Sequence, residues 1–235
     1  MFPKKRSKTM NPVIQYFRSS VGRKQVMGVS GLILYGFLLV HLVGNVGLLS
    51  GSDYFNGYGH LMLHTLGKIV VPIEFFLLAA FVLHLGLGFK LTSENRAARP
   101  QRYAVNASRR GGAYRGWMML TGSWILVFVL VHVPHFRFGV FAAQPEVIAA
   151  GPDIRDLYGE VMRAFANPWF TGFYLLSFVL LFSHLAHGVQ SSLQSLGINH
   201  ARYNAALRGL SLAYAVVICG GFAAIAVWAH FQGGV

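Results

Sequence analysis

The chain has 235 residues, of which 54% are hydrophobic and only 11% are charged, and its mean hydropathy is +0.51. These values exclude an ordinary soluble globular domain and favour an integral membrane protein. The single cysteine, Cys219, excludes a disulfide framework and a cysteine-ligated iron–sulfur cluster within this chain.

Five long apolar segments follow one another along the chain, each close to the roughly 20 residues that a helix needs to cross a bilayer core. Between the third and the fourth, residues 153–166 carry apolar side chains at helical spacing opposite charged ones, which is typical of an amphipathic helix at a membrane surface. No segment alternates with period two as the strands of a membrane barrel do. The sequence therefore predicts an all-α bundle of five transmembrane helices in one membrane domain, 1–235. The predicted helices cover about residues 26–49, 69–91, 115–137, 168–195 and 205–231.

Positive charge is unevenly distributed between the two sides of this bundle. Sixteen of the 20 Lys and Arg residues fall before the first helix, in the loop after the second or in the loop after the fourth. Cations in short flanking loops mark the cytoplasmic side, so the N-terminus is predicted to be cytoplasmic. The net charge of +13 then has anionic lipid headgroups or an acidic partner as counterions, and nucleic-acid binding is not predicted.

Four histidines, His41, His84, His132 and His184, lie one to a helix within the first four apolar segments. An ionisable side chain in a membrane span is costly and indicates a functional site. Two neutral imidazoles saturate a haem iron and give an electron-transfer centre, so four such ligands allow two haems. At 1.5 Å rise per residue, His41 and His132 share an outer level and His84 and His184 share an inner one. The sequence thus predicts the iron ligands as two pairs, 41 with 132 and 84 with 184.

The flanking residues favour the same pairs. Ser30-Gly31 and Thr121-Gly122 lie in helices one and three, each hydroxyl eleven residues before the histidine of its own helix. Eleven residues is about three turns, hence the same helix face. In helices two and four a glycine, Gly88 or Gly188, follows the histidine by four residues and allows a macrocycle or a helix to approach closely.

Alternatives stay open for single histidines. An intramembrane histidine can simply form a hydrogen bond between helices. His187 and His135 lie one turn from His184 and His132 and are rival ligands, and His187 is also a candidate partner of a haem propionate. His60 and His64, spaced i, i+4, could make a metal site, but two ligands are a weak signal and an outer-loop role is favoured.

In combination these residues resemble the cytochrome b subunit of succinate dehydrogenases and fumarate reductases, in its single-chain, five-helix, two-haem form. The resemblance covers nearly the whole chain, and in that family helices one and three ligate the haem distal to the catalytic subunits while helices two and four ligate the proximal one. The motifs that carry it are Ser19-Ser20-Val21-Gly22-Arg23-Lys24, Ser30-Gly31 followed by His41-Leu42-Val43-Gly44-Asn45, Thr121-Gly122 with His132, and His184 with Gly188 and Gly197.

The resemblance implies cofactors and partners. It implies two haem b groups, with menaquinone or ubiquinone as the electron acceptor, in a bacterial cytoplasmic membrane. It also implies a flavoprotein with FAD and an iron–sulfur subunit docked on the cytoplasmic face. The chain would then be the electron-transfer subunit of a succinate:quinone oxidoreductase (complex II), and the dicarboxylate chemistry would lie in the partner subunits.

Further residues are candidates for the surroundings of the cofactors. Glu74 is a carboxylate near the outer end of helix two, and burial would suit it to proton transfer with quinone. Its alternative is a headgroup-level residue paired with Lys68 or His64. The other quinone candidates at similar depth are His64, Asn45 and His135.

The candidates for the haem surroundings are Ser30, Thr121, His187, Arg23 and Arg115. The two arginines are either partners of the haem propionates or ordinary positive charge on the cytoplasmic side.

Two rival functions share many of these features. The anchor of a formate dehydrogenase or hydrogenase would keep the haems and change the soluble partners. A helical transporter with a histidine proton relay would bind no haem.

Overall fold

The computed structural model describes residues 11–98, 113–140 and 155–233, and within these ranges the chain is helical with no β-strand. The predicted all-α class is confirmed for this part of the chain, as is the presence of five helices long and apolar enough to cross a membrane. The helices are α1 Pro12–Arg18, α2 Ser20–Val46, α3 Ser52–His60, α4 Gly67–Ala97, α5 Ala113–Phe138, α6 Leu157–Ala166, α7 Pro168–Ser195 and α8 Ala201–Gln232, with a 3-10 turn at Gly47–Ser50 and a π turn at Leu61–Thr65.

Polar residues cap the N-terminal ends of α2 and α7. Ser19 precedes α2 and its hydroxyl accepts a hydrogen bond from the Gly22 amide at 3.1 Å. Asn167 accepts one from the Trp169 amide at 2.9 Å, and Pro168 takes the first position of α7. Hydropathy does not register such caps, so α2 begins six residues before the predicted 26.

The five long helices alternate in direction. We call the end of the bundle that contains the start of α2 and the end of α4 the lower end, and the opposite end the upper end. Arg23 joins Glu94 across the lower end at 2.8 Å, and Glu74 joins Arg137 across the upper end at 2.8 Å. Ions of opposite charge therefore tie neighbouring helices at both ends of the bundle.

The closest packing lies between α7 and α8, with α2 against both. Small residues of α8 make this possible, since Ala215 and Ala229 are completely buried. By contrast, only Ala80 and Leu91 are buried in α4, and α4 and α5 contact each other over few residues. The helices that carry His84 and His132 thus close the bundle loosely on one side.

A short layer covers the upper end. The amphipathic segment forms α6, which packs against α3, α7 and α8 and buries Val161, Met162 and Phe165. Glu160 lies on its predicted polar face yet is buried, because Arg155 binds its carboxylate in a bidentate pair, with Nε to Oε1 at 2.7 Å. Arg155 also donates to the last carbonyls of α5, those of Phe136 and Arg137, at 3.2 and 3.3 Å. One guanidinium therefore holds α6 to the end of α5.

We expect Arg155→Ala to destabilise the protein by about 3 kcal/mol, because it leaves the Glu160 carboxylate buried without its cation. Unfolding in detergent micelles measures this loss. Arg163→Ala is the control, since Arg163 lies 3.7 Å from Asp156 with 46% of its side chain exposed, and such a pair contributes less than about 1 kcal/mol. Equal losses in the two variants would contradict a central role for Arg155.

Candidate functional site

The lower histidine pair, His84 of α4 and His184 of α7, has its ring centres 6.4 Å apart with the planes inclined at 68°. His84 Nδ1 lies 3.1 Å from the Met27 carbonyl and 3.2 Å from the Ser30 hydroxyl. A carbonyl only accepts, so this contact fixes the proton of a neutral His84 on Nδ1 and leaves Nε2 with its lone pair.

His184 is held in a matching way. Its Nδ1 lies 3.1 Å from the Thr121 hydroxyl, which itself donates to the Trp117 carbonyl at 3.0 Å. Since the threonine proton is already used, Nδ1 of His184 is the donor and Nε2 again keeps its lone pair. Both lower imidazoles are therefore oriented by a hydroxyl from a neighbouring helix.

The hydroxyls of the two Ser/Thr-Gly motifs contact histidines of neighbouring helices, not the histidines of their own helices. The Ser30 hydroxyl contacts His84 of α4, and the Thr121 hydroxyl contacts His184 of α7. The adjoining glycines also face these rings. A Cβ on Gly31 would lie 3.2 Å from His84 Cε1, tighter than ordinary contact, and one on Gly122 would lie 3.6 Å from His184 Cε1. Gly31 therefore leaves room for the close approach of the His84 ring.

The upper histidine pair, His41 of α2 and His132 of α5, has its ring centres 5.7 Å apart and nearly perpendicular planes. His132 Nδ1 lies 3.1 Å from the hydroxyl of Tyr174 on α7. Asn45, one turn after His41, donates to the His41 carbonyl at 2.8 Å and lies 3.4 Å from its Nδ1. Asn45 therefore belongs to the surroundings of the upper pair.

The separations within the pairs fit a metal held between two imidazoles. A metal–imidazole bond of about 2 Å on each side would place the ring centres about 6 Å apart. The observed 5.7 and 6.4 Å lie on either side of that value. Among the described residues no group of three or more His, Cys, Asp or Glu side chains could hold a bare metal ion. Two imidazoles without further side-chain ligands suit a metal whose other ligands would come from a macrocycle.

The remaining candidates near the lower pair lie in different surroundings. Arg23 pairs with Glu94, and its Nε is buried without a hydrogen-bond partner. His187 lies one turn after His184 and is half buried, whereas the ring that faces His84 is that of His184. Arg115 belongs to α5, but its side chain lies outside the described residues. An anionic oxygen would satisfy the Arg23 Nε.

The four quinone candidates do not form one cluster. Glu74 accepts two hydrogen bonds from Arg137, at 2.8 and 3.1 Å. Its partner in these hydrogen bonds is therefore Arg137 and not Lys68 or His64. His135 is buried, with the rings of Phe136 and Phe170 at 4.5 and 4.9 Å. Of the four, His64 lines a cavity at the upper end.

That cavity, which we call the upper cleft, is small, with a volume of about 40 Å³. His60 and His64 stack within it, with ring centres 4.6 Å apart. The Phe136 ring lines the cleft and also lies 5.6 Å from the ring of His132. A single aromatic ring therefore separates the cleft from the upper histidine pair. The cleft is lined by Gly59, His60, Leu63, His64, Phe136, Arg155 and Leu157.

Sequence reasoning missed Tyr174, Phe136 and Arg155 as neighbours of these sites. Tyr174 lies ten residues before His184 and hence near the upper level of α7. The rise per residue, applied to aromatic residues with a polar atom, places it level with His132. Nothing in the sequence indicates that Arg155 contacts the end of α5.

Comparison with models of protein families, with characterised proteins and with solved structures finds no match to this chain. Its function therefore has to be inferred from the site.

Proposed function

We propose that this chain is the di-haem cytochrome b membrane anchor of a succinate:quinone oxidoreductase (succinate dehydrogenase, complex II), passing electrons between an iron–sulfur subunit and membrane quinone. One observation carries the proposal: at each of two levels of the apolar bundle, two imidazoles from different helices face each other. Their ring centres are 5.7 Å apart in the upper pair and 6.4 Å apart in the lower pair. Each pair brings together histidines from two helices, as a ligand shared by both rings would require.

Two haem b groups are the proposed cofactors, with His41 and His132 as ligands of the upper one and His84 and His184 as ligands of the lower one. A haem with two imidazole ligands supplies one-electron transfer without an open position for O2. The chain's own part is to orient the ligand nitrogens. Ser30, Met27 and Thr121 hold the Nδ1 side of the lower imidazoles, so that each Nε2 is left as the electron-pair donor.

The lower end is proposed to face the bacterial cytoplasm and to bind the iron–sulfur subunit, with the FAD-containing flavoprotein beyond it. Cations before α2 and after α4 support this orientation. Arg23 supports a lower cofactor with anionic groups, because its buried Nε has no acceptor among the described residues. A propionate would be such an acceptor, and Glu94 would hold the guanidinium in place.

The upper cleft is the proposed site for the head of menaquinone or ubiquinone. Its stacked imidazoles offer N–H donors to quinone oxygens, and Phe136 offers an aromatic face beside the ring of His132. The charge of Arg155 is already neutralised by Glu160. His60 and His64 are therefore the polar groups that we assign to quinone binding.

The purified protein should contain two low-spin haems per chain. His84→Ala and His184→Ala should each lose the same haem, and His41→Ala and His132→Ala should each lose the other, because each haem would then keep only one of the two histidines that would hold it. Haem quantification and reduced-minus-oxidised spectra measure this.

His187→Ala and His135→Ala are matched controls, each one turn from a proposed ligand, and both should retain two haems. A wild-type protein without a Soret band would refute the proposal and favour a transporter. Loss of a haem in a control variant would reassign that ligand.

The soluble partners separate complex II from other quinone-linked oxidoreductases. Mild solubilisation and affinity purification of the full chain should recover a flavoprotein with covalent FAD and an iron–sulfur subunit. A molybdenum- or nickel-containing subunit in their place would overturn the assignment to succinate oxidation.

His64→Leu should raise the KM for a short-chain quinone about tenfold while both haem spectra stay unchanged. A tenfold rise in KM corresponds to a loss of about 1.4 kcal/mol of binding free energy, which is the contribution of one hydrogen bond. Steady-state quinone reduction by the intact complex measures it, and His200→Leu at the lower end is the control. An unchanged KM in His64→Leu and in His60→Leu would place quinone elsewhere.

A further inference from the structure

We propose that Tyr174 is a positioning residue for the upper site: its phenol oxygen accepts the Nδ1 proton of His132 and thereby sets the orientation and donor strength of that imidazole. The inference rests on the proposed haem ligation by His132. It assigns to α7 a role at both levels, since the same helix carries His184.

The Tyr174 hydroxyl lies in apolar surroundings. Tyr174 is only 2% exposed. Apart from His132, the rings around it belong to phenylalanines, so a phenylalanine would fill the same space with less cost. The neighbouring rings are those of Phe128, Phe136, Phe165, Phe170, Phe173 and Phe178.

A buried hydroxyl in such a shell is costly unless it forms a hydrogen bond. The hydrogen bond described for this hydroxyl is the one to His132 Nδ1, at 3.1 Å. Packing alone therefore explains the ring of Tyr174 but not its oxygen. The oxygen is accounted for by His132.

The tautomer of His132 sets the direction of that hydrogen bond. If Nε2 of His132 donates its lone pair to a metal, the proton of the neutral ring lies on Nδ1. The phenol oxygen then accepts. This matches the lower pair, where Nδ1 of His84 and of His184 donates to oxygens of neighbouring helices.

The two levels differ in the kind of acceptor that the histidine Nδ1 has. At the lower level the acceptor of His84 includes a backbone carbonyl, whose position is fixed by α2. At the upper level the acceptor of His132 is a side-chain phenol, a weaker acceptor that a single substitution can remove. Loss of this bond lowers the donor strength of Nε2, which weakens binding of ferric iron more than of ferrous iron. The midpoint potential of the upper haem then rises.

The test is Tyr174→Phe in the full complex, with haem content and spectroelectrochemical midpoint potentials as the readouts. Both haems should be retained and one potential should rise. A tenfold preferential weakening of the ferric state corresponds to about 59 mV for a one-electron couple. In a His84→Ala background, which keeps only the upper haem, the same rise should appear. In a His41→Ala background it should be absent.

Tyr214→Phe is the matched control, because it also removes one phenol hydroxyl from the bundle. Tyr214 donates to the Tyr35 carbonyl at 2.5 Å and contacts no histidine in the described hydrogen bonds. It should leave both potentials unchanged. Replacing Tyr174 with 3-fluorotyrosine keeps the shape of the ring and makes the phenol oxygen a weaker acceptor. The midpoint potential should then rise by less than in Tyr174→Phe. This replacement is used if the Tyr174→Phe protein does not accumulate.

Unchanged potentials in a Tyr174→Phe protein that retains both haems would overturn the inference, as would a shift confined to the lower haem. An equal rise in Tyr214→Phe would do the same. Absence of haem from the wild-type protein would instead refute the proposed function, so the two failures are distinguishable.

Discussion

An imidazole inside an apolar span has two ring nitrogens and no water to satisfy them, and this constraint organises the bundle. An unsatisfied polar group costs several kcal/mol in lipid, so each histidine needs a partner for Nδ1 from a neighbouring helix or from its own. His84 and His184 obtain it from Met27, Ser30 and Thr121. Once Nδ1 is bound in this way, the ring has one orientation and one free electron pair.

The same constraint explains why the helices pair as they do. The Ser30-Gly31 motif of α2 contacts the histidine of α4, and the Thr121-Gly122 motif of α5 contacts the histidine of α7. Two helix pairs thus repeat one arrangement, in which a hydroxyl binds the ring and the adjacent glycine makes room for it. The fifth span, α8, has no histidine within this repeat and instead supplies the small residues that pack against α7.

Much of this arrangement follows from the sequence, because length, hydropathy and rise per residue depend on local geometry. The five helices and the levels of His41 and His132 need only those quantities. Contacts between helices need more. A spacing of eleven residues shows that Ser30 and His41 share a helix face, but not that the hydroxyl binds a ring on the next helix. That choice depends on how α2 and α4 are rotated against each other, which a single sequence does not record.

The ends of the bundle were harder to predict for a related reason. Glu74 has Lys68 and His64 nearby in sequence, yet it bonds Arg137 on another helix, where a guanidinium matches both carboxylate oxygens. Likewise the amphipathic pattern of α6 places Glu160 on the polar face of the helix. In the structure Glu160 is buried, because its carboxylate is paired with Arg155.

The burial of that ion pair has a consequence for the upper cleft. Arg155 fixes the carbonyl of Phe136, and the Phe136 ring lies between the cleft and His132. With the guanidinium charge neutralised by Glu160, the cleft presents two imidazoles and aromatic surface rather than a net cation. A neutral, planar molecule with hydrogen-bond acceptors suits such a site better than an anion does. One ion pair therefore sets the polarity of the cleft and the position of the ring that connects it to the upper histidine pair.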